Sequence, residues 1–286
     1  MVEEFYKIFK MDEVELKEYV IDELYDREYS PVVADGFVYA KGDIPILLVA
    51  HLDTVHKEVA ENIFYDKEQD VLWSPEGLGG DDRCGVWTIL EIMKKHKPYV
   101  LFTEDEEKGG LGAKKATEIL KTPNVRFIIE IDRRGSEDCV FYQCDNKEFQ
   151  KYIQGFGFKT AIGTYTDIVD LSDAWDIASV NLSSGYYKEH TLQEYVKIKE
   201  TIATRDKIIK ILEDKENKDT FKYEKKTYYF ETKYNAKNKK TEQGRYKYED
   251  WYDDAYDDYY KNLSDLGYLD ENKKWHWYSD EERTNK

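Results

Sequence analysis

The sequence predicts an α/β protein built on a mixed, mostly parallel central sheet with helices on both faces. Three observations carry that prediction. Residues 45–50, 99–103 and 126–131 are short, continuous apolar runs of the kind found in strands buried on both faces. Stretches with apolar residues at helical spacing alternate with them. Polar, chemically able residues (His51 and Asp53, Glu106 and Glu107, Asp132) fall just past their ends. In sheets of this class ligands bind beyond the carboxyl ends of strands.

The elements follow in order. Residues 12–27 place Val14, Leu16, Tyr19, Val20, Ile21, Leu24 and Tyr25 at the spacing of an amphipathic helix packed on a sheet. Residues 31–40 read as a hairpin turning at Asp35-Gly36. The strand at 45–50 ends in His51-Leu52-Asp53. Two short strands within 62–74 lead into Gly77-Leu78-Gly79-Gly80-Asp81-Asp82-Arg83-Cys84-Gly85, and Val86, Ile89, Leu90, Ile92 and Met93 then open a helix running to about residue 96. Two adjacent acids after a glycine-dense loop thus sit at a helix start, where a carboxylate can cap orphan N–H groups. A strand at 99–103, a helix at 111–120, a strand at 126–131, a helix at 146–153 and a strand at 178–183 complete the alternation. A last helix carries Leu192, Tyr195, Val196, Ile198, Ile202 and the residues from Ile208 to Leu212. After about Asp214, Lys, Asp, Glu, Asn and Tyr dominate, so residues 1–213 read as the folded domain. Residues 214–286 read as an acidic, tyrosine-rich extension, extended or partly disordered, whose stretch 249–260 is a candidate docking segment for a protein partner.

A chain of 286 residues can bury a substantial core. The net charge of -17 argues against nucleic acid as a partner, since phosphate binding needs concentrated Lys and Arg. Cys84, Cys139 and Cys144 cannot all pair, no secretory leader precedes the first helix, and no apolar run approaches the ~18 residues that cross a membrane. A reducing, cytoplasmic setting without membrane attachment is expected. Cys139 and Cys144 read as buried thiols rather than half of a zinc site, and Cys84 as a packing residue.

The chemistry lies in the strand-end groups. His51 and Asp53, two residues apart, point to one side, so Asp53 can take one imidazole N–H while the other nitrogen binds a metal. Asp81 has two oxygens on a pinned backbone, which suits a carboxylate bridging two ions. Glu106 and Glu107 diverge, so one can bind metal while the other moves protons. Asp132 and His190 complete the set.

In order and spacing over residues 45–200, His51-x-Asp53, Gly79-Gly80-Asp81-Asp82, Glu106-Glu107-Lys108-Gly109, Asp132 and Gly185-Tyr-Tyr-Lys-Glu-His190-Thr resemble the motifs of the co-catalytic di-zinc exopeptidase superfamily. That superfamily includes peptidase T, the aminoacylases and the glutamyl aminopeptidases. The resemblance implies a first zinc on His51, Asp81 and Asp132 and a second on Asp81, Glu107 and His190, with cobalt or manganese as alternatives. It implies Glu106 as general base, Asp53 orienting His51, and a cis Asp81–Asp82 peptide. The implied reaction is amide hydrolysis by a water held between two zincs ~3.5–4 Å apart.

The intervals from Asp53 to Asp81 and from Asp132 to His190 are too short for the lid or dimerisation domain that many relatives insert. An Asp at position 132 fits the aminopeptidase members, so the leading expectation is an aminopeptidase acting on short peptides. A deacylase of N-acyl amino acids is the alternative, and a non-catalytic metal-binding scaffold is the reading from another class. Asp82 and Arg83 are candidates for substrate contacts or for a cap and a surface ion pair, Asp167 for the cleft wall or a cap, and His56, His96 and His276 for solvent.

Overall fold

The computed structural model describes residues 2–226 and the backbone of two later strands, Gly267–Leu269 and Trp275–Trp277. The first compact unit, Met1–Lys225, begins with helices α1 (Val2–Phe9) and α2 (Glu13–Asp26). Strands β1 (Val32–Ala34), β2 (Phe37–Ala40), β3 (Ile44–His51), β4 (Phe64–Asp66) and β5 (Val71–Trp73) follow. Next come α3 (Gly80–Met93), β6 (Pro98–Thr103), a 3₁₀ turn (Glu106–Lys108), α4 (Leu111–Ile119), β7 (Ile128–Arg133) and β8 (Asp138–Val140). The unit continues through α5 (Lys147–Gln154), β9 (Lys159–Thr160), α6 (Asp167–Trp175), β10 (Ser179–Ser183), β11 (Tyr186–Tyr187), β12 (Tyr195–Val196) and α7 (Ile198–Glu213).

The main sheet runs β1-β2-β6-β3-β7-β10-β8-β9. Its centre, β6-β3-β7-β10, is parallel, while β1 with β2, β2 with β6 and β8 with β10 pair antiparallel, and β9 pairs parallel with β8. This is the expected mixed, mostly parallel sheet. Strand alternation divides the core into two layers. Ile46, Leu48, Ala50, Val100, Phe102, Ile129 and Ile131 face the layer built with α1, α2, α3, α5 and α7. Leu47, Val49, Tyr99, Leu101 and Ile128 face the opposite layer with Ala113 and Ala116 of α4 and Ile168, Leu171 and Trp175 of α6. Helices therefore cover both faces. A second, antiparallel sheet runs β11-β12-β5-β4.

Most of the expected elements are present, and the departures have physical reasons. In α2 the capping box of Asp12 and Glu15 fixes the start, and Leu16, Val20 and Leu24 are buried while Val14 and Tyr25 are exposed, so the apolar stripe is narrower than its composition suggests. Helix α1 was not expected. It docks through Phe5, whose ring stacks on Trp87 with centroids 4.2 Å apart. Helix α3 is buried along nearly its whole length, because it lies between the sheet and the helices α1 and α7. Residues 192–196, read as the start of the last helix, are not helical: Leu192 lies in a turn, Tyr195–Val196 form β12, and α7 begins at Ile198.

The core also runs past the compositional change at 214. Phe221 is buried, with ring centroids 5.9, 5.2 and 5.6 Å from Phe127, Phe149 and Tyr152, and isolated bridges join Ile177 to Lys222 and Cys144 to Lys225. The second unit, Lys226–Lys286, contains an antiparallel pair, β13 (Gly267–Leu269) and β14 (Trp275–Trp277). The stretch 249–260 and the side chain of His276 lie outside the described residues. No helix among the described residues is long and apolar enough to cross a membrane.

A chain ended after Glu213 loses Phe221 from this core, and by analogy with core Phe truncations it should be destabilised by about 3–5 kcal/mol relative to one ended after Lys226. Urea unfolding of the two chains measures this; equal midpoints would mean that the segment adds nothing.

Candidate metal centre

The site forms where β3, β6 and β7 end and α3 begins. His51 is the last residue of β3, and its Nδ1 faces Asp53, 3.2 Å from Oδ1. Its Nε2 faces Asp81 Oδ1 at 3.0 Å and Asp132 Oδ1 at 3.7 Å. Burial disfavours charge on this imidazole, yet Asp132, Asp53 and Asp81 hold its pKa well above the ordinary value. Asp53 does more than orient His51. Its Oδ1 accepts the Glu106 N–H and its Oδ2 the Glu107 N–H, both at 3.1 Å, which fixes the turn that carries the two glutamates. Burial opposes ionisation of Asp53, but His51 and these two amides lower its pKa.

Asp81 lies at the kinked start of α3, after Gly79 in the left-handed region at φ 70°, and the Asp81–Asp82 peptide is cis as the resemblance implied. A Cβ at Gly79 would come within 2.7 Å of Arg83 Nη1. One Asp81 oxygen faces each histidine: Oδ1 meets His51, and Oδ2 lies 3.2 Å from His190 Nε2. His190 Nε2 is also 2.9 Å from Glu107 Oε1. That contact lacks hydrogen-bond geometry, so the buried Glu107 oxygen makes no hydrogen bond. Asp132 accepts hydrogen bonds from the Tyr186 hydroxyl and the Thr166 hydroxyl, both at 3.0 Å.

The structure therefore brings His51, Asp53, Asp81, Glu106, Glu107, Asp132 and His190 together. Ligand atoms of Asp81, Glu107 and His190, the expected second set, lie within 4.8 Å of one another. Around His51 two such groups occur, one with Glu106 and Glu107 and one with Asp82 and Asp132. The expected first set had Asp81 in the place of Asp82; Asp81 still contacts His51 directly.

Asp82 and Arg83 are turned inward. Asp82 is fully buried, capping α3 through the Gly85 N–H at 2.9 Å and accepting the His51 N–H at 3.3 Å, so the cap reading describes it. Arg83 is buried rather than in a surface ion pair, donating from Nη2 to the Met11 carbonyl at 2.9 Å. Burial raises the Cys84 thiol well above its usual pKa, consistent with a packing role. His56 does not face solvent: its Nε2 meets Glu194 at 3.0 Å, and His96 lies 3.4 Å from Glu213. Asp167 opens α6, fully buried and bonded to the Thr103 hydroxyl, and burial pushes its pKa up to about 7.

Glu194 and Glu130 were missed. Glu194 accepts the Gly79 N–H at 2.7 Å and the Asp81 N–H at 3.0 Å, clamping the loop that presents Asp81. Its only sequence signal is its place four residues after His190. Glu130, buried under Asp132 and bonded by Thr166, was hidden within a strand read as apolar.

The donor set fits divalent cations. Imidazole and carboxylate are zinc's nitrogen and oxygen ligands, the Glu107 oxygen makes no hydrogen bond although it lies 2.9 Å from His190 Nε2, and the packed carboxylates need positive charge. Without it, burial and Asp132 raise Asp81 to about 6, and burial raises Glu106 to about 9. Asp81 and Glu107 raise His190 to about 11. All three groups hold protons in the folded chain that the unfolded chain releases at lower pH. Metal-free protein should therefore lose stability as pH rises from 5 to 9, and zinc should raise its Tm more at pH 7.5 than at pH 5.5. Calorimetry in chelator, then with zinc, measures this; a Tm that holds or climbs over that range would contradict it.

No protein-family model and no curated protein matches this sequence. Solved structures do match. Aminopeptidase PepT from Bacillus cereus aligns with a TM-score of 0.61 and 13% identity, covering 74% of this chain and 96% of that one. A tripeptidase from Staphylococcus aureus aligns with a TM-score of 0.59 and 14% identity, covering 73% and 95%. A leucine aminopeptidase precursor from Bacteroides thetaiotaomicron aligns with a TM-score of 0.52 and 16% identity, covering 70% and 88%. The fold of this chain is that of these exopeptidases, the fold its ordered motifs resemble.

Proposed function

We propose that the protein is a metal-dependent amide hydrolase, an aminopeptidase acting on short peptides, with two zinc ions as cofactors. The observation that carries this reading is Asp81 set between two histidines, one oxygen to each, with Glu107 and Asp132 on its two sides. His51, Asp81 and Asp132 would hold one ion, and Asp81, Glu107 and His190 the other. When bound, such a pair supplies Lewis-acid polarisation of a carbonyl and a water acidic enough to attack at neutral pH.

The chain's own residues do the rest. Asp53 keeps the Nδ1 side of His51 occupied, so Nε2 is the nitrogen left for a ligand. Glu106 enters the cleft beside Asp81 and Asp132. Its carboxylate takes the proton of the attacking water and returns it to the leaving amine nitrogen. Once it holds that proton, the same carboxyl is the acid for the second transfer. The cleft holds roughly 140 Å³, room for one end of a small substrate rather than for a folded chain. The similar structures named aminopeptidase and tripeptidase support the same substrate class.

Elemental analysis of wild type and Glu106→Gln, with amine release from dipeptides and N-acetyl amino acids, tests the proposal. About two zinc ions in both proteins are expected, with release from dipeptides falling by at least ~10²-fold in the variant. Release from N-acetyl amino acids alone would assign a deacylase. Metal retained without any hydrolysis would leave a scaffold, and absence of stoichiometric metal would sink the enzyme reading.

A further inference from the structure

The lining of the cleft is not wholly acidic. Arg133 and Arg134, directly after Asp132, line the same cleft as Asp81, Glu106 and His190. The Arg133 guanidinium makes no hydrogen bond among the described residues. Its buried Nε has no partner, and its Nη2 is 3.6 Å from Asp138 Oδ2, beyond hydrogen-bond reach. The side chain is largely covered, so water reaches it poorly. A guanidinium held this way in a cleft lacks the acceptor that its planar fork suits. Arg134 is more exposed and shares its charge with Glu189 at 2.8 Å.

We propose that Arg133, with Arg134 beside it, is the anchor for a carboxylate on the substrate, in the same cleft as the acidic cluster. The fork of Arg133 pairs with both oxygens of that carboxylate, while Arg134 adds charge without a fixed geometry. A small peptide meets this demand in two ways, with its free C-terminal carboxylate or with an acidic side chain. The first restricts the protein to very short peptides, because the carboxylate must lie within one or two residues of the bond that is cleaved. This inference rests on the proposed hydrolase for its setting, but binding can test it without turnover.

The test is calorimetric binding to metal-loaded Glu106→Gln protein of three probes: alanyl-alanine, alanyl-alanine amide and alanyl-aspartic acid α-amide. Charge-assisted pairing predicts that alanyl-alanine binds at least ten-fold more tightly than its amide, a preference reduced to near unity by a further Arg133→Gln change and weakened less by Arg134→Gln. If the α-amide of alanyl-aspartic acid, whose side chain carries the only carboxylate, matches alanyl-alanine, the anchor takes a carboxylate from either source. If it alone binds tightly, the source is the side chain. Equal binding of all three, or a preference that survives Arg133→Gln in a protein with wild-type Tm, overturns the proposal. In wild type, the acid-to-amide ratio of kcat/KM should show the same preference. Amine release from acid and amide at the same rate, together with equal binding, would remove the anchor and leave the hydrolase standing. Preferential binding without any amine release would do the reverse.

Discussion

The carboxylate of Asp53 is the interaction on which the site depends. It faces His51 at the end of β3 and accepts both amides of the turn that carries Glu106 and Glu107, so one ionised group joins two neighbouring strand ends. Its partners are an imidazole and two backbone N–H groups, the combination that keeps a buried carboxylate charged. Without it, His51 would keep only the Asp53 backbone carbonyl on its Nδ1 side, and the amides of Glu106 and Glu107 would lose the acceptor that holds their turn.

Around that joint the fold concentrates negative charge at a cost to its own stability. Burial pushes Glu130 well above the ordinary carboxylate range and Asp167 to about 7, and one oxygen of each has no hydrogen bond. Hydroxyls from Thr166 and Tyr186 and the Asn181 side chain, which bonds the Asp132 backbone, offset part of this. A scaffold selected for stability alone would place apolar groups there. Charge that the surroundings satisfy only in part is consistent with a site made for cations.

Much of this was legible in the sequence because strand ends and glycine-dense turns leave local signals. The run ending in His51, the Gly79-Gly80-Asp81-Asp82 loop and the Glu106-Glu107 pair each stand at a break in apolar periodicity, and the structure puts them at the ends of β3, β6 and the start of α3. What escaped was set by contacts distant in sequence. Nothing local to Val2–Phe9 says that Phe5 will stack on Trp87, and the charged surroundings of Phe221 hide its place against Phe127 and Phe149. Glu194 looks like any surface acid until the fold carries the backbone of Gly79 and Asp81 to it across more than a hundred residues. His56 was misjudged for the same reason, since its partner is that same glutamate.

The hairpin between β11 and β12 carries His190 and, at its far end, Glu194, so one short loop delivers both a candidate ligand and the clamp on the opposite ligand's backbone. This has an evolutionary consequence. An added or lost residue within 188–194 would shift the two groups relative to each other, so the length of this loop is constrained even though much of its surface is open. The turn at 67–69, exposed and bonded among the described residues to Asp66, carries no group of the site. An insertion at 67–69 is therefore expected to leave the site intact, while one within 188–194 is expected to disturb it.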